Sequence, residues 1–367
     1  MTAATKMKIA TIVGARPQFI KAATLSRCIA GQSGISEVLI HTGQHYNANM
    51  SDVFFAELDI RLPDHHLGIG GGTHGENTGR MIEAIEKVLI KEKPGWVLVY
   101  GDTDSTLAGA LAAVKLHIPL VHVEAGLRSF NRRMPEEINR VLIDHAADIL
   151  FAPTLTAVAN LAAEGIAGER VSLVGDVMYD AALYYQAKAR KPLALAINDS
   201  PPFVLCTIHR AENTDDAIRL AAIVKVLNQL AEQMPIILPL HPRTVTAMKR
   251  LQGMALSPAV QVIEPVGFLE MTWLLAQCAM VITDSGGVQK EAYFHQKPCL
   301  TLRDETEWVE LIDAGYNRLI SPFATDVSEA FQQMQGAMIP KDGRLYGDGD
   351  AAGKIIKYMK SVNGDKA

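Results

Sequence analysis

Cysteine is scarce in this chain. Only Cys28, Cys206, Cys278 and Cys299 occur among 367 residues, with no C-x-x-C pair and no metal-ligand spacing. Each lies in an apolar stretch, which suits a small buried hydrophobe in a reducing cytoplasm, and no metal site is indicated. A basic excess is lacking as well. Lys and Arg total 35 against 40 Asp and Glu, a net charge of −5. That balance argues against a general nucleic-acid binder, so an anionic ligand has to be held by local groups. Long apolar runs are absent too. The first one, Ile9–Val13, is too short for a signal-peptide core, and none reaches the ~18 residues that span a membrane. The expectation is a soluble cytoplasmic protein with neither nucleic acid nor membrane as partner.

What is present is length and alternation. A chain of 367 residues is too long for one ordinary core, and 49% hydrophobic with 20% charged residues is a soluble globular profile. Apolar runs at 8–13, 37–41, 96–100, 120–123, 149–152 and 171–174 read as buried strands. Between them 18–29, 78–91, 106–116 and 136–147 carry apolar residues at helical spacing. The series restarts after the Pro-containing stretch 198–202. Strands are expected at 203–207, 236–240, 260–263, 280–283, 299–302 and 319–320, with helices at 217–233, 268–277 and 288–295. The reading is α/β: two Rossmann-like doubly wound domains, 1–175 and 176–351, facing a central cleft. The Gly-rich stretch 68–72 reads as a short mobile loop.

Ligands of open α/β sheets bind beyond the carboxyl ends of strands, and the informative residues follow strands here. The first strand runs into Gly14-Ala15-Arg16-Pro17-Gln18, where Pro17 suits the start of a helix and Arg16 emerges at the sheet edge. It is not a G-x-G-x-x-G fingerprint, so no dinucleotide cofactor is expected. Gly101-Asp102-Thr103-Asp104-Ser105 follows another strand, with Asp104 or Ser105 as the expected helix cap and Asp102 either a ligand group or a plain turn residue. Glu124 ends the next strand. Pro135-Glu136-Glu137 opens a helix, where acids also stabilise the positive end of its dipole. Three acid-bearing elements at one sheet edge suggest proton transfer. In the second half, His209-Arg210 ends a strand and suits a pyrophosphate. Asp284-Ser285-Gly286-Gly287 then turns a strand into a helix whose N–H groups face an anion, with Glu291 one turn inside, in reach of ribose hydroxyls.

In order, GARPQFIK, TGQH, GDTDST, HVEAGLR, MPEEINR, IHRAEN, TDSGGVQKEA and RDETEWVE resemble the motifs of the non-hydrolysing UDP-N-acetylglucosamine 2-epimerase family, over nearly the whole chain. The resemblance implies the glycosyltransferase-B-like two-domain fold, with 352–367 packing back on the first domain, and a homodimer. It implies C2 inversion by anti elimination of UDP and re-addition to the glycal, as in UDP-GlcNAc to UDP-ManNAc, with no cofactor. It places Arg16 and His209 near the diphosphate, Ser285, Gly286 and Gly287 in an N–H cradle, and Glu291 on the ribose. Lys21, Asp102, Glu124 and Glu136 match catalytic positions, with Asp102 and Glu124 the leading acid/base pair.

The chain also departs from the commonest family pattern. The first elbow reads Ala-Arg-Pro-Gln-Phe for Thr-Arg-Pro-Glu-Ala, and Thr306-Glu307-Trp308-Val309-Glu310 replaces Thr-Glu-Arg-Pro-Glu. Asn47 stands where a glutamine often helps hold an activating second UDP-GlcNAc. These departures resemble the branch acting on UDP-2,3-diacetamido-2,3-dideoxyglucuronic acid in O-antigen polysaccharide biosynthesis, and that substrate stands level with UDP-GlcNAc. The alternatives are a hydrolysing 2-epimerase, a UDP-sugar glycosyltransferase and a non-catalytic UDP-sugar sensor.

Overall fold

In a computed structural model the chain is described at residues 6–44, 55, 57–193, 195, 202–240, 242–251, 254–337, 339 and 344–364. It forms two compact units, one of residues 1–181 with 344–367 and one of residues 182–343. Asn47 and most of the stretch 198–202 lie outside the described residues.

The first unit runs β1 (Met7–Val13), α1 (Arg16–Ala30), β2 (Ile35–His41), β3 (His65–His66), α2 (His74–Glu92), β4 (Trp96–Tyr100), α3 (Asp104–Lys115) and β5 (Leu120–Val123). It continues with α4 (Pro135–Ala146), β6 (Ile149–Ala152), α5 (Leu155–Ala163), β7 (Val171–Leu173) and α6 (Val177–Gln186), which carries the chain into the second unit. The second unit contains β8 (Val204–Thr207), α7 (Ala211–Thr214), α8 (Ala217–Ala231), β9 (Ile236–Pro239), α9 (Pro242–Met248), β10 (Val260–Ile263) and α10 (Phe268–Gln277). Then follow β11 (Met280–Thr283), α11 (Gly286–Phe294), β12 (Cys299–Thr301), α12 (Val309–Asp313), β13 (Asn317–Leu319) and α13 (Val327–Gln335). The last helix, α14 (Ala351–Gly364), belongs to the first unit.

Both sheets are parallel. Their orders are β3-β2-β1-β4-β5-β6-β7 and β10-β9-β8-β11-β12-β13, so each reverses direction at its first strand, between β1 and β4 and between β8 and β11. Such strands are buried on both faces, which is why they read as unbroken apolar runs. In the second sheet Val204, Cys206, Met280, Ile282 and Leu300 enter one core, while Leu205, Val281 and Cys299 enter the other. The helices close the two faces. Among the described residues, no helix is long and apolar enough to cross a membrane.

Several expectations are corrected. Thr103, rather than Asp104 or Ser105, caps α3, its hydroxyl accepting the Thr106 N–H at 3.3 Å. The Gly-rich stretch is tied down: Ile69 is buried and its N–H meets the Thr42 carbonyl at 2.8 Å. The last strand lies at 317–319, earlier than 319–320, since Asn317 pairs with Cys299 in register. Burial raises the Cys278 and Cys299 thiols to about 12, while Cys28 is only half-buried.

The closing helix is held by its N-terminus. Asp180 on α6 accepts the Ala351 and Ala352 N–H groups at 3.1 and 2.8 Å, and Ile355 and Met359 are wholly buried. Tyr358 then donates to the Glu169 carbonyl at 2.5 Å.

Candidate active site

The first unit gathers its charged groups where its sheet reverses. Gln18 builds the elbow after β1. Its Oε1 accepts the Gly14 and Ala15 N–H groups at 2.8 and 3.0 Å, while Nε2 donates to the Tyr100 carbonyl and to Thr106. One buried amide thereby ties the turn after β1 to the end of β4 across the reversal. Arg16, half-buried, opens α1 from that elbow.

One turn further along α1, Lys21 reaches Glu124 at 2.5 Å, and both side chains are about nine-tenths buried, with 10% and 8% exposed. Glu124 immediately follows β5, whose Val123 is in register with Tyr100 at the end of β4. Its backbone is left-handed, with φ +72°. A residue other than glycine in that region is uncommon and points to a constraint worth its cost. Gly101, with φ +62°, leaves room for the pair, because a Cβ there would lie 3.2 Å from Lys21 Nζ and 3.3 Å from Glu124 Oε1. Asp102 comes next. Its Oδ2 accepts Arg140 Nε at 2.9 Å and Nη2 at 2.7 Å, and its carboxylate stays 25% exposed.

The structure therefore brings Lys21, Asp102 and Glu124 to neighbouring strand ends, each acid with its own cation. Glu136 stands half-buried in the first turn of α4 and makes no hydrogen bond or ion pair with that trio among the described residues. Its neighbour Glu137 is the structural one. Burial pushes the Glu137 carboxyl up, but the Ser129 and Phe130 N–H groups and Arg140 outweigh this and hold it below the usual carboxylate range. Arg140 thus spans Glu137 and Asp102, a role the sequence pattern does not reveal.

In the second unit Asp284 plays the organising part, and the sequence pattern does not single it out either. Wholly buried at the end of β11, it accepts the His209 N–H at 3.1 Å, the Arg210 N–H at 3.0 Å and Asn213 Nδ2 at 3.0 Å. It fixes the turn after β8 across that sheet's own reversal. The His209 ring, half-exposed, lies with Nδ1 3.5 Å from the same carboxylate.

Ser285 caps α11, its Oγ accepting the Val288 N–H at 3.5 Å. Gly286 is needed for packing, since a Cβ there would sit 2.3 Å from Glu307 Oε1, whereas Gly287 faces open space. Glu307 is itself held by the buried Arg303 at 3.0 Å. The free flank of this N-terminus is therefore the Gly287 side, and a helix N-terminus favours an anion there. Glu291 is half-buried on the same helix. Lys290 is buried, with Nζ 4.0 Å from the centre of the Trp308 ring.

Comparison with known proteins agrees with this architecture. Residues 27–360 match the family model of UDP-N-acetylglucosamine 2-epimerase. The UDP-2,3-diacetamido-2,3-dideoxy-D-glucuronate 2-epimerase of Pseudomonas aeruginosa is 55% identical, over 97% of this chain and 100% of its own. The UDP-N-acetylglucosamine 2-epimerase of Escherichia coli K12 is 33% identical, over 97% and 99%. The solved structure of Methanocaldococcus jannaschii UDP-GlcNAc 2-epimerase, in complex with UDP-GlcNAc and UDP, superposes with a TM-score of 0.86. It is 41% identical and covers 97% of this chain and 100% of its own. With both parallel sheets and nearly every residue accounted for, the chain belongs to the UDP-N-acetylglucosamine 2-epimerase family and is a UDP-sugar 2-epimerase, an isomerase.

Proposed function

We propose that the enzyme inverts C2 of UDP-2,3-diacetamido-2,3-dideoxyglucuronate, and that UDP-GlcNAc is at best a poor substrate. The observation that carries the choice of sugar is the 55% identity to the Pseudomonas aeruginosa enzyme of that name, against 33% to the Escherichia coli one. The mechanism proposed is anti elimination followed by re-addition. The C2 proton has no carbonyl beside it, so loss of UDP from C1 has to run ahead and acidify C2–H, and leaving-group stabilisation carries most of the rate.

In this reading the second unit holds UDP. The N–H groups of Gly286 and Gly287 face the diphosphate, joined by His209 and Arg16, and Glu291 takes the ribose hydroxyls. Ser285 flanks this cradle as the helix cap, its own N–H being donated to Thr283 Oγ1 at 2.9 Å. Asp284 supports the assignment by fixing the His209 backbone at the strand end beside the Ser285–Gly287 turn. Asp102 and Glu124 serve as the acid and base on opposite sugar faces, with Glu136 the further acid of that edge. Lys21 and Arg140 hold the two carboxylates in place, at 2.5 and 2.7 Å. The working form is a homodimer in the cytoplasm, acting in polysaccharide assembly.

The test is incubation of each UDP-sugar with the enzyme in D₂O, following C2 by NMR. Deuterium at C2 with the epimer still joined to UDP, faster for the diacetamido-uronate, is the expected result. Faster turnover of UDP-GlcNAc overturns the choice of sugar, and release of free sugar marks a hydrolase. Asp102→Asn and Glu124→Gln should each lower kcat by about 100-fold or more, the scale of losing an acid/base group.

A further inference from the structure

A second set of charged groups is buried next to the turns that carry the acids. Asp144 on α4 is completely buried, as is His122 on β5. Asp144 Oδ1 meets His122 Nδ1 at 2.7 Å, and the other face of that ring donates through Nε2 to the Gly101 carbonyl at 2.8 Å. Asp144 Oδ2 accepts the Gly126 N–H at 3.0 Å and Arg128 Nη1 at 2.7 Å, and Arg128 in turn grips Glu164. A single carboxylate thereby fastens two backbone turns. One is the Gly101 turn, which delivers Asp102, and the other is the Gly126 turn, which closes behind Glu124.

Both turns are conformationally exacting. Gly101, Glu124 and Gly126 have φ of +62°, +72° and +82°, and a Cβ on Gly126 would sit 2.4 Å from the Ala157 carbonyl oxygen. Helix α4 reinforces the hold from its neighbouring turn, with Asn139 Nδ2 donating to the Asp102 carbonyl at 2.8 Å and Arg140 on the Asp102 carboxylate. Burying several charges is a costly way to stabilise a fold, because apolar residues of similar volume usually serve as well or better. What charges supply that apolar packing lacks is direction. They fix a particular carbonyl and a particular N–H, on the two turns that carry the acids.

We infer that His122 and Asp144 are positioning residues that set the spacing of Asp102 and Glu124 for proton transfer at C2, acting through the Gly101 carbonyl and the Gly126 amide. The inference rests on the epimerase mechanism proposed above. It assigns these residues neither substrate contact nor a proton of their own. Small displacements of reacting groups cost as much as about 100-fold in rate, and functional geometry has to hold within about 0.5 Å.

The test uses the full-length enzyme as His122→Asn and Asp144→Asn, with Ile143→Val as a control for stability. Ile143 is buried next to Asp144 but faces the apolar core. His122→Asn leaves a side chain too short to hold the Gly101 carbonyl, and Asp144→Asn keeps the size while losing one acceptor. The expected result is a kcat and a C2 deuterium-exchange rate lower by about 10- to 100-fold. KM and the Kd for UDP should stay within about threefold, because the UDP-facing residues of the second unit are untouched. Hydrogen exchange at residues 100–105 and 123–128 should quicken together. Ile143→Val, even at an equal fall in Tm, should keep kcat within about twofold.

The inference is overturned if His122→Asn keeps kcat within twofold of the parent, or if the control loses as much at the same Tm. It is also overturned if only one turn loosens. Should His122→Asn fail to fold, Asp144→Asn decides by the same readings. If the unaltered enzyme exchanges C2 of no UDP-sugar, the proposed reaction fails. The amide-exchange reading then still decides whether the two turns are coupled.

Discussion

Lys290 is 3% exposed and its ammonium lies 4.0 Å from the centre of the Trp308 ring. An aromatic face is one of few apolar surfaces that favours a desolvated cation, by roughly 2 kcal/mol when buried. Arginine, which the commoner family motif has at this position, would set two cations against each other here. Trp308 and Lys290 therefore form a matched pair. Trp308→Arg is expected to destabilise the enzyme by about 3 kcal/mol, from lost packing together with two cations brought into contact. Adding Lys290→Glu should restore at least half of that loss. A double-mutant cycle in urea unfolding checks it, and simple additivity of the two changes would show that they are independent. The sequence shows that Trp308 is unusual but not why, because its partner lies 18 positions earlier, on α11.

The turn between β8 and α7 is the element whose shape depends most on a single side chain. Asp284 receives N–H groups from His209, Arg210 and Asn213, and no apolar residue of that size satisfies them. Asp284→Asn turns one accepting oxygen into a donor facing other donors. The expected outcome is a Kd for UDP weakened by about 10- to 100-fold, with a fall in stability of about 2 kcal/mol, measured by calorimetry and thermal melts. An unchanged Kd would separate His209 from the UDP grip. Elements of this kind are legible in the sequence wherever a continuous apolar run meets a helical pattern, so the strands 96–100, 120–123, 149–152, 260–263 and 280–283 stand where the pattern puts them. The two-residue strand His65–His66 is not legible, because it is too short to show a period. The cap of α3 escapes the sequence since Thr103, Asp104 and Ser105 are all good capping residues and backbone geometry chooses among them. Acids at strand ends are readable as candidates. Their partners Lys21 and Arg140 come from helices, and no local spacing links a helix residue to a strand end it meets only in three dimensions.

For the molecule as a whole, buried ionisable groups decide how it responds to acid. Burial, with Lys297 adding repulsion, lowers the His295 imidazole to about 4, so the folded chain stays neutral there while the unfolded chain takes up a proton near 6.5. The unfolded state binds more protons between those values, and stability therefore falls as pH drops from about 6.5 to about 4, by up to roughly 3 kcal/mol. Asp144 adds a second loss at lower pH. Burial works to raise its carboxyl, but the hydrogen bond and charge of His122 and then Arg128 hold it below normal, so its contribution is complete above about pH 4 and disappears beneath that. His295→Phe should shrink the difference in Tm between pH 7 and pH 5. An equal difference in both proteins would place the acid sensitivity elsewhere. The helix α14 has a consequence of another kind. Because residues 344–367 complete a unit that begins at the N-terminus, with 182–343 forming their own unit in between, synthesis presents the parts out of order. A ribosome delivers every residue of the inserted unit before it delivers the apolar stripe of Ile355, Ile356 and Met359 that the first unit still awaits. The unit whose strands emerge first is thus the unit that finishes last, its apolar surface left uncovered until Ile355, Ile356 and Met359 follow the inserted unit out.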